Sequence, residues 1–285
     1  MNWVFLNGEY MPSEQAKISP MDRGFLFGDG IYEVIPSYGG KFVGFEPHIL
    51  RLQQGLAEIE INLPIGLQQW RDICQQLAKK NGNGNLGIYL QVSRGTSPVR
   101  YHAYPDDIEP TVFAYAFEIP PAPVADKEKV KAYRVKTLSD LRWQRCNIKS
   151  TALLGNVMHF QTGYKEGFDE VLLFNQDNML TEAAACNAFV VTGKVIATPP
   201  LDSQLLPGIT RLILLDVLRQ YSHFTVEERS VSKAEVLNAD EVWITSSTKQ
   251  VAPVISIDNN PVGGGRVGDV WHQAQQLFSE HQFDY

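Results

Sequence analysis

The chain has 285 residues, of which 44% are hydrophobic and 20% are charged, so it can bury the core of one large globular domain or of two ordinary ones. Its formal net charge of −7 argues against nucleic acid as a partner. Its longest apolar runs, such as residues 212–215, are far too short to span a membrane, and its first residues lack the features of a signal peptide.

The three cysteines give no sign of a metal site or of disulfide bonds. Cys74, Cys146 and Cys186 are spaced neither like zinc ligands nor like an even disulfide framework. We therefore expect a cytoplasmic protein without a metal site.

The first part of the chain alternates strand-like runs with turn residues. Strands are predicted over residues 3–6, 31–38, 41–45, 86–92 and 111–119, and helices over residues 48–59 and 65–80. The proline cluster at residues 120–124 is typical of a linker. We therefore predict a smaller N-terminal α+β domain over residues 1–120 and a linker over residues 121–127.

The second part of the chain mixes strands and helices in the same way. Strands are predicted over residues 130–137, 170–174, 186–191, 241–245 and 251–257, and helices over residues 151–165, after residue 208 and from residue 267. We predict a second α+β domain over residues 128–285. Ligands often bind between two such domains, so a pocket is expected there.

Lys149 and Glu182 supply a pair of groups that one cofactor needs. Residues 146–148 before the lysine are uncharged, so its amine is expected to be partly desolvated and nucleophilic. Glu182 follows an apolar strand-like segment. A lysine holds the aldehyde of pyridoxal phosphate as a Schiff base, and a carboxylate keeps the ring nitrogen protonated. Alone, each residue is more often a solvated surface charge.

Seven short motifs occur in the order found in fold-type IV pyridoxal-phosphate enzymes. They are residues 22–33 (DRGFLFGDGIYE), 48–51 (HILR), 94–98 (RGTSP) followed by 100–102 (RYH), 140–150 around Lys149, 181–182 (TE), 207–211 (PGITR) and 246–248 (SST). Together they resemble D-amino-acid aminotransferases over nearly the whole chain. The resemblance implies a two-domain α+β fold, a larger C-terminal cofactor-binding domain with a barrel-like sheet, and pyridoxal 5'-phosphate in the interdomain cleft.

The resemblance also implies roles for the residues that hold the cofactor. Lys149 is then the catalytic residue that forms the Schiff base, and Glu182 bonds the pyridine nitrogen. The relatives often have serines after this glutamate, whereas residues 183–185 are alanines here, so hydroxyl contacts are not expected from that run.

A phosphate cup is implied by three segments of the chain. They contribute Arg51, Ile209 with Thr210, and Ser247 with Thr248. A helix start after residue 208 offers unpaired N–H groups and a positive dipole end, with Thr210 as the expected cap. An alternative for Arg51 is a surface position near Glu58, seven residues later.

Three residues are implied to contact the substrate. Tyr32 shapes the pocket, while Glu33 must point to the opposite face of its strand. Arg100 and His102 resemble a trap for the substrate α-carboxylate that reaches the partner's site across a homodimer interface, because a guanidinium binds a carboxylate through two hydrogen bonds. Val99 adds one residue before this pair relative to some relatives. Asp29 is interpreted as a turn residue.

The sequence therefore predicts a transaminase that exchanges amino groups between D-amino acids and 2-oxo acids. It would act by ping-pong chemistry through Lys149, with 2-oxoglutarate as the acceptor. The alternatives are a branched-chain L-amino-acid aminotransferase or an (R)-amine transaminase, an aminodeoxychorismate lyase, and a cofactor-binding protein without activity. The motifs at residues 28–34 and 100–102 argue against the branched-chain enzyme.

Overall fold

The computed structural model describes residues 2–285 and divides into two compact units. Unit 1 consists of the chain up to Ala122 together with Ile148–Leu153 and Tyr285. Unit 2 consists of Pro123–Asn147 and Leu154–Asp284. The division therefore falls within the proline-rich segment that was predicted to be a linker. The segment around Lys149, predicted to be part of the C-terminal domain, belongs to unit 1.

Unit 1 is built on an antiparallel six-stranded sheet with the order β2-β1-β6-β5-β3-β4. Its strands are β1 (Trp3–Leu6), β2 (Glu9–Pro12), β3 (Gly30–Tyr38), β4 (Lys41–Phe42), β5 (Asn85–Ser93) and β6 (Thr111–Glu118). Its helices are α1 (Arg23–Phe27), α2 (Phe45–Glu58) and α3 (Leu67–Lys80), and a 3-10 turn covers Ser13–Gln15.

The two faces of this sheet differ because side chains alternate along a strand. One face is fully buried, and its Ile31 and Ile88 pack in one core with Ile49 of α2 and Leu77 of α3. The other face is half-buried and aromatic. Its rings include Tyr32, Tyr89 and Tyr115, and neighbouring ring centroids lie 5.0–5.6 Å apart.

Unit 2 is built on a mixed nine-stranded sheet with the order β12-β11-β10-β13-β14-β7-β8-β9, to which β15 adds beside β14. Its strands are β7 (Tyr133–Ser139), β8 (Glu170–Phe174), β9 (Leu180–Ala183), β10 (Asn187–Thr192), β11 (Val195–Thr198), β12 (Thr225–Glu228), β13 (Glu241–Ser246), β14 (Gln250–Ile257) and β15 (Asn260–Pro261). Its helices are α4 (Leu154–Lys165), α5 (Ile209–Tyr221), α6 (Lys233–Leu237) and α7 (Asp269–His281).

Two of the wrong boundaries have a clear local cause. The strand expected over residues 41–45 ends at Phe42, because Gly44 adopts a left-handed conformation (φ 59°) at the start of α2. The helix expected from residue 151 begins at Leu154, because the main chain of Thr151 instead hydrogen-bonds to Gly30 in unit 1. Within residues 2–285, the helices are all too short or too polar to cross a membrane.

Candidate active site

The segment that carries Lys149 is hydrogen-bonded to the first residues of β3. The N–H of Tyr32 donates to the carbonyl of Lys149 over 3.0 Å, and the N–H of Thr151 donates to Gly30 over 2.9 Å. The Lys149 Nζ lies 4.2 Å from the centroid of the Tyr32 ring, a distance typical of a cation–π contact. The structure therefore brings together two of the predicted site residues, the lysine and the tyrosine.

Glu33 points to the opposite, fully buried face of β3 and forms an ion-pair cluster there. Its two carboxylate oxygens accept hydrogen bonds from Arg51 over 2.7 and 2.8 Å, and His48 Nδ1 lies 2.7 Å from Oε2. Burial alone would raise the pKa of Glu33, but Arg51 and His48 hold it well below its usual range. Burial lowers the pKa of His48, although Glu33 opposes this effect.

Arg51 is not a surface residue near Glu58, so that interpretation is wrong. Its side chain is only 8% exposed, and it forms a two-point contact with Glu33. The contact fixes the guanidinium plane from within unit 1. The predicted role of Arg51 in binding a phosphate stays a prediction.

Arg100 and His102 lie together on an exposed loop, and both side chains contact the same aromatic ring. The Arg100 guanidinium carbon is 4.9 Å from the Phe27 ring centroid, and the His102 ring centroid is 5.4 Å from it. Their backbone is anchored, because the buried Arg23 donates to the carbonyls of Tyr101 and His102 over 2.6 and 3.2 Å. The loop therefore has a fixed base and carries two exposed polar side chains that rest against Phe27.

Asp29 does more than form a turn. It accepts hydrogen bonds from Arg23 over 2.7 Å and from Arg94 over 2.8 Å, and both arginines are buried. It is therefore the shared counter-ion that holds the base of the Arg100 loop.

Glu182 lies inside β9, and its side chain is almost completely buried. Oε1 accepts a 2.5 Å hydrogen bond from Arg142, and Oε2 accepts hydrogen bonds from the side chain of Asn187 and the N–H of Leu206 over 3.1 and 3.2 Å. Burial raises the pKa of Glu182 to about 7, while Arg142 opposes the rise. Arg142 therefore favours the ionised carboxylate that burial disfavours.

Asn187 links Glu182 to the segment just before α5, because its side-chain amide donates to Oε2 of Glu182 and to the carbonyl of Leu206. A Cβ on Gly208, the residue before the helix, would lie 2.0 Å from Asn187 Oδ1, so only glycine fits there. Thr210 is not the cap that the sequence predicted, because Gly208 occupies that position. Ile209 and Thr210 are buried in the first turn instead.

Ser247 and Thr248 lie in the tight turn between β13 and β14. Strand pairing places Thr245 directly opposite Asn187, and the Nζ of Lys249 lies 3.5 Å from the sulfur of Cys186. Within unit 2, the structure therefore gathers Glu182, the start of α5 and this turn around residues 186–187.

The sequence interpretation missed three residues of this cluster. The half-buried Asp140 and the buried Arg142 form an ion pair beside Glu182, and Asn187 joins Glu182 to Leu206 just before α5. The signal available for the first two was a pair of opposite charges shortly after the predicted strand over residues 130–137, in the motif that contains Lys149. Asn187 offered no signal beyond its place after the alanine run.

The comparisons with known proteins identify the family. Residues 30–257 match the model of the Amino-transferase class IV family. The chain is 38% identical to the D-alanine aminotransferase of Bacillus licheniformis over 95% of this chain and 94% of that protein. It is 35% identical to the D-alanine aminotransferase of Staphylococcus haemolyticus over 99% of this chain and 98% of that protein.

Solved structures of branched-chain amino acid aminotransferases share the fold. The Escherichia coli enzyme has a TM-score of 0.89 at 23% identity and covers 98% of this chain and 94% of its own. The Thermobaculum terrenum enzyme in its PLP form has a TM-score of 0.87 at 20% identity and covers 99% of this chain and 94% of its own. The predicted fold class is confirmed, and the chain belongs to the class IV aminotransferases.

Proposed function

We propose that this aminotransferase acts on D-amino acids such as D-alanine and passes the amino group to 2-oxoglutarate by a ping-pong reaction. The observation that carries the proposal is the 38% identity to a D-alanine aminotransferase across nearly the whole of both chains. The two branched-chain enzymes share the fold at only 23% and 20% identity, which does not favour their substrates.

Pyridoxal phosphate is the cofactor of this family, and the residues present fit it. The Oγ1 of Thr245 is buried and, among residues 2–285, has no hydrogen-bond partner. The first turn of α5 receives no cap from a side chain of the same described residues, so its N–H groups can bind an anion. The residues that would hold the cofactor are Lys149, Glu182, Arg51, Ile209, Thr210, Ser247 and Thr248.

The bound cofactor supplies an electron-poor ring that stabilises negative charge at the substrate α-carbon. Lys149 would hold the cofactor through its aldehyde, and its free amine would move the substrate α-proton as a general acid and base. Its main chain is fixed by β3, so the amine works from one defined position. Tyr32 covers the lysine and shapes the space for the substrate.

The substrate carboxylate is assigned to Arg100 and His102, acting in the partner subunit of a homodimer. Both side chains project from an exposed loop with a fixed base, which suits a contact made outside their own chain. Because Lys149 would act from one fixed position, the place where the carboxylate is held would decide which enantiomer loses its α-proton. The position of this loop would therefore set the preference for D-amino acids.

A homodimer is supported by an apolar stripe on α4. Leu154, Val157, Met158 and Tyr164 follow a helical spacing, and each is exposed over more than half of its surface. A second copy of the chain would cover this stripe, and sedimentation equilibrium measures the mass directly. A cytoplasmic location agrees with the three buried free thiols, Cys74, Cys146 and Cys186.

The experiment that tests the function incubates the pure, pyridoxal-phosphate-loaded protein with 2-oxoglutarate and either D-alanine or L-alanine. Pyruvate is followed with lactate dehydrogenase, and omission of 2-oxoglutarate is the control. Pyruvate should form from D-alanine. Formation from L-alanine alone would contradict the proposal, and D- and L-leucine tested in parallel would then reveal a branched-chain preference.

A further inference from the structure

Arg142 bridges two carboxylates in unit 2, the buried Glu182 and the half-buried Asp140. Its Nε and Nη2 donate to the two oxygens of Asp140 over 3.0 and 2.7 Å, and its Nη1 donates to Oε1 of Glu182 over 2.5 Å. The side chains of Arg142 and Glu182 are 3% and 6% exposed. Charge-assisted hydrogen bonds between groups so well shielded from solvent are strong, and their geometry is fixed. We call Asp140, Arg142 and Glu182 the carboxylate relay.

The far end of the carboxylate relay is anchored to the sheet. The hydroxyl of Thr181 donates to Asp140 over 2.8 Å, and the N–H of Asp140 donates to the carbonyl of Phe174 over 2.7 Å. Nη2 of Arg142 also donates to the carbonyl of Gln204 over 3.1 Å. The guanidinium is therefore held in one orientation by groups other than Glu182, and it presents a single nitrogen to that carboxylate.

The carboxylate relay carries an excess of one negative charge. Asp140 and Glu182 each contribute −1 and Arg142 contributes +1, which gives a net charge of −1. Cys146 interacts with both carboxylates but stays a neutral thiol, because burial raises its pKa to about 11. The other oxygen of Glu182 meets neutral donors, the Asn187 amide and the Leu206 N–H. A site with this charge favours one monovalent cation beside Glu182.

We propose that Asp140 and Arg142 are positioning residues that keep Glu182 ionised while leaving the site one net negative charge, so that Glu182 holds a protonated ring nitrogen. This inference rests on the proposed role of Glu182 as the partner of the cofactor ring.

The physical reason lies in the competition for one proton. A buried carboxyl group without a neighbouring cation is mainly neutral, and it would then donate its proton in a hydrogen bond to a neutral ring nitrogen. Arg142 stabilises the carboxylate, so the proton stays on the nitrogen. Asp140 takes up two of the arginine's N–H groups and offsets its charge, so the guanidinium does not repel the cation that Glu182 binds.

The test uses the full-length protein with bound pyridoxamine 5'-phosphate labelled with ¹⁵N in its ring. The ¹⁵N chemical shift reports protonation of the ring nitrogen and does not depend on catalytic activity. At neutral pH the unaltered protein should show a protonated nitrogen. In Arg142→Gln the protonated-to-neutral ratio should fall by at least about tenfold, which is one unit of pKa, and Arg142→Lys should largely restore it.

Three further variants separate the possible outcomes. Arg211→Gln removes another buried arginine of unit 2, one that binds Pro199 and Glu228 instead, and it should leave the nitrogen protonated. Asp140→Asn should shift the nitrogen toward its neutral form even if Arg142→Gln does not fold. Glu182→Gln should give a neutral nitrogen.

A protonated nitrogen in Glu182→Gln would contradict the proposed role of Glu182 itself. A neutral nitrogen in Glu182→Gln together with a fully protonated one in Arg142→Gln or Asp140→Asn would overturn only the inference about the carboxylate relay. Equal losses in Arg211→Gln and Arg142→Gln would show a general structural effect and would also overturn it.

Discussion

The N–H of Tyr32 donates a 3.0 Å hydrogen bond to the carbonyl oxygen of Lys149, while the Tyr32 ring lies 4.2 Å from the Nζ of the same lysine. The main-chain contact sets the position of the lysine against β3 without using its side chain. Changes to the amine should therefore alter the chemistry and leave the local backbone intact.

Glu182→Gln should slow the two chemical half-reactions by about 10- to 100-fold. The amide cannot stabilise a cationic ring nitrogen, and a hydrogen bond to a charged group contributes roughly 1.5–3 kcal/mol. The amide keeps the shape of the side chain between Arg142 and Asn187, so cofactor retention should change less. Stopped-flow spectra with D-alanine and with a 2-oxo acid measure both steps. Unchanged rates would show that Glu182 is not the ring partner.

Arg100→Ala should lower kcat/KM for D-alanine by about 10- to 100-fold through loss of a two-point contact with the carboxylate. Primary amines without a carboxylate should lose far less. Arg71→Ala is a matched control, because Arg71 also lies over a phenylalanine ring, 4.2 Å from Phe45, and has no predicted contact with substrate. Equal losses for D-alanine and for the amines would place the carboxylate trap elsewhere.

Glu33→Gln should destabilise the protein by about 3–5 kcal/mol at neutral pH, because it breaks a buried ion pair and leaves Arg51 without its carboxylate. The pKa of Glu33 is lowered in the folded state, so its contribution is present above the ordinary value of 4.5 and is lost as the pH falls below it. Urea unfolding across this range measures the effect.

The unaltered protein should therefore lose more stability on acidification than Glu33→Gln does. Glu58→Gln, at an exposed position of α2, serves as the control and should cost far less at neutral pH. Parallel acid profiles for the unaltered protein and Glu33→Gln would contradict the assignment of a depressed pKa to Glu33.

Gly208→Ala should lower stability by about 1–3 kcal/mol and weaken cofactor retention, because its Cβ would lie 2.0 Å from Asn187 Oδ1. Asn187 cannot easily move away, since it also binds Glu182 and Leu206. Gly84→Ala is the control, as nothing lies within 4 Å of its added Cβ. Thermal unfolding with and without pyridoxal phosphate compares the two variants. Identical behaviour would contradict a close contact between Gly208 and Asn187.

The sequence predicted the elements that are marked by an apolar run or by a helical period. Residues 170–174 form β8 as expected, and the expected helix over residues 65–80 appears as α3 (Leu67–Lys80). The short helix α1 was missed, because its five residues are too few to show a helical repeat. Asp22 nonetheless caps it by accepting a hydrogen bond from Gly24.

Long-range pairing was beyond the reach of sequence patterns. Nothing local in residues 148–153 indicates that they pair with β3 in unit 1. Likewise, Arg142 resembles a surface charge in the sequence, and its burial beside Glu182 depends on how β7 and β9 flank β8. The resemblance to a family identified the reacting lysine. The ion pairs around Glu182, in contrast, become visible only in the folded structure.

The identity of the reacting lysine is tested most directly by reduction of the pyridoxal-phosphate-loaded protein with borohydride, followed by peptide mass spectrometry. We expect one phosphopyridoxyl group, attached to Lys149. We also expect that Lys149→Ala binds the cofactor without a covalent link and does not transaminate. A label on another lysine, such as the half-buried Lys249, or retained activity in Lys149→Ala, would contradict this assignment.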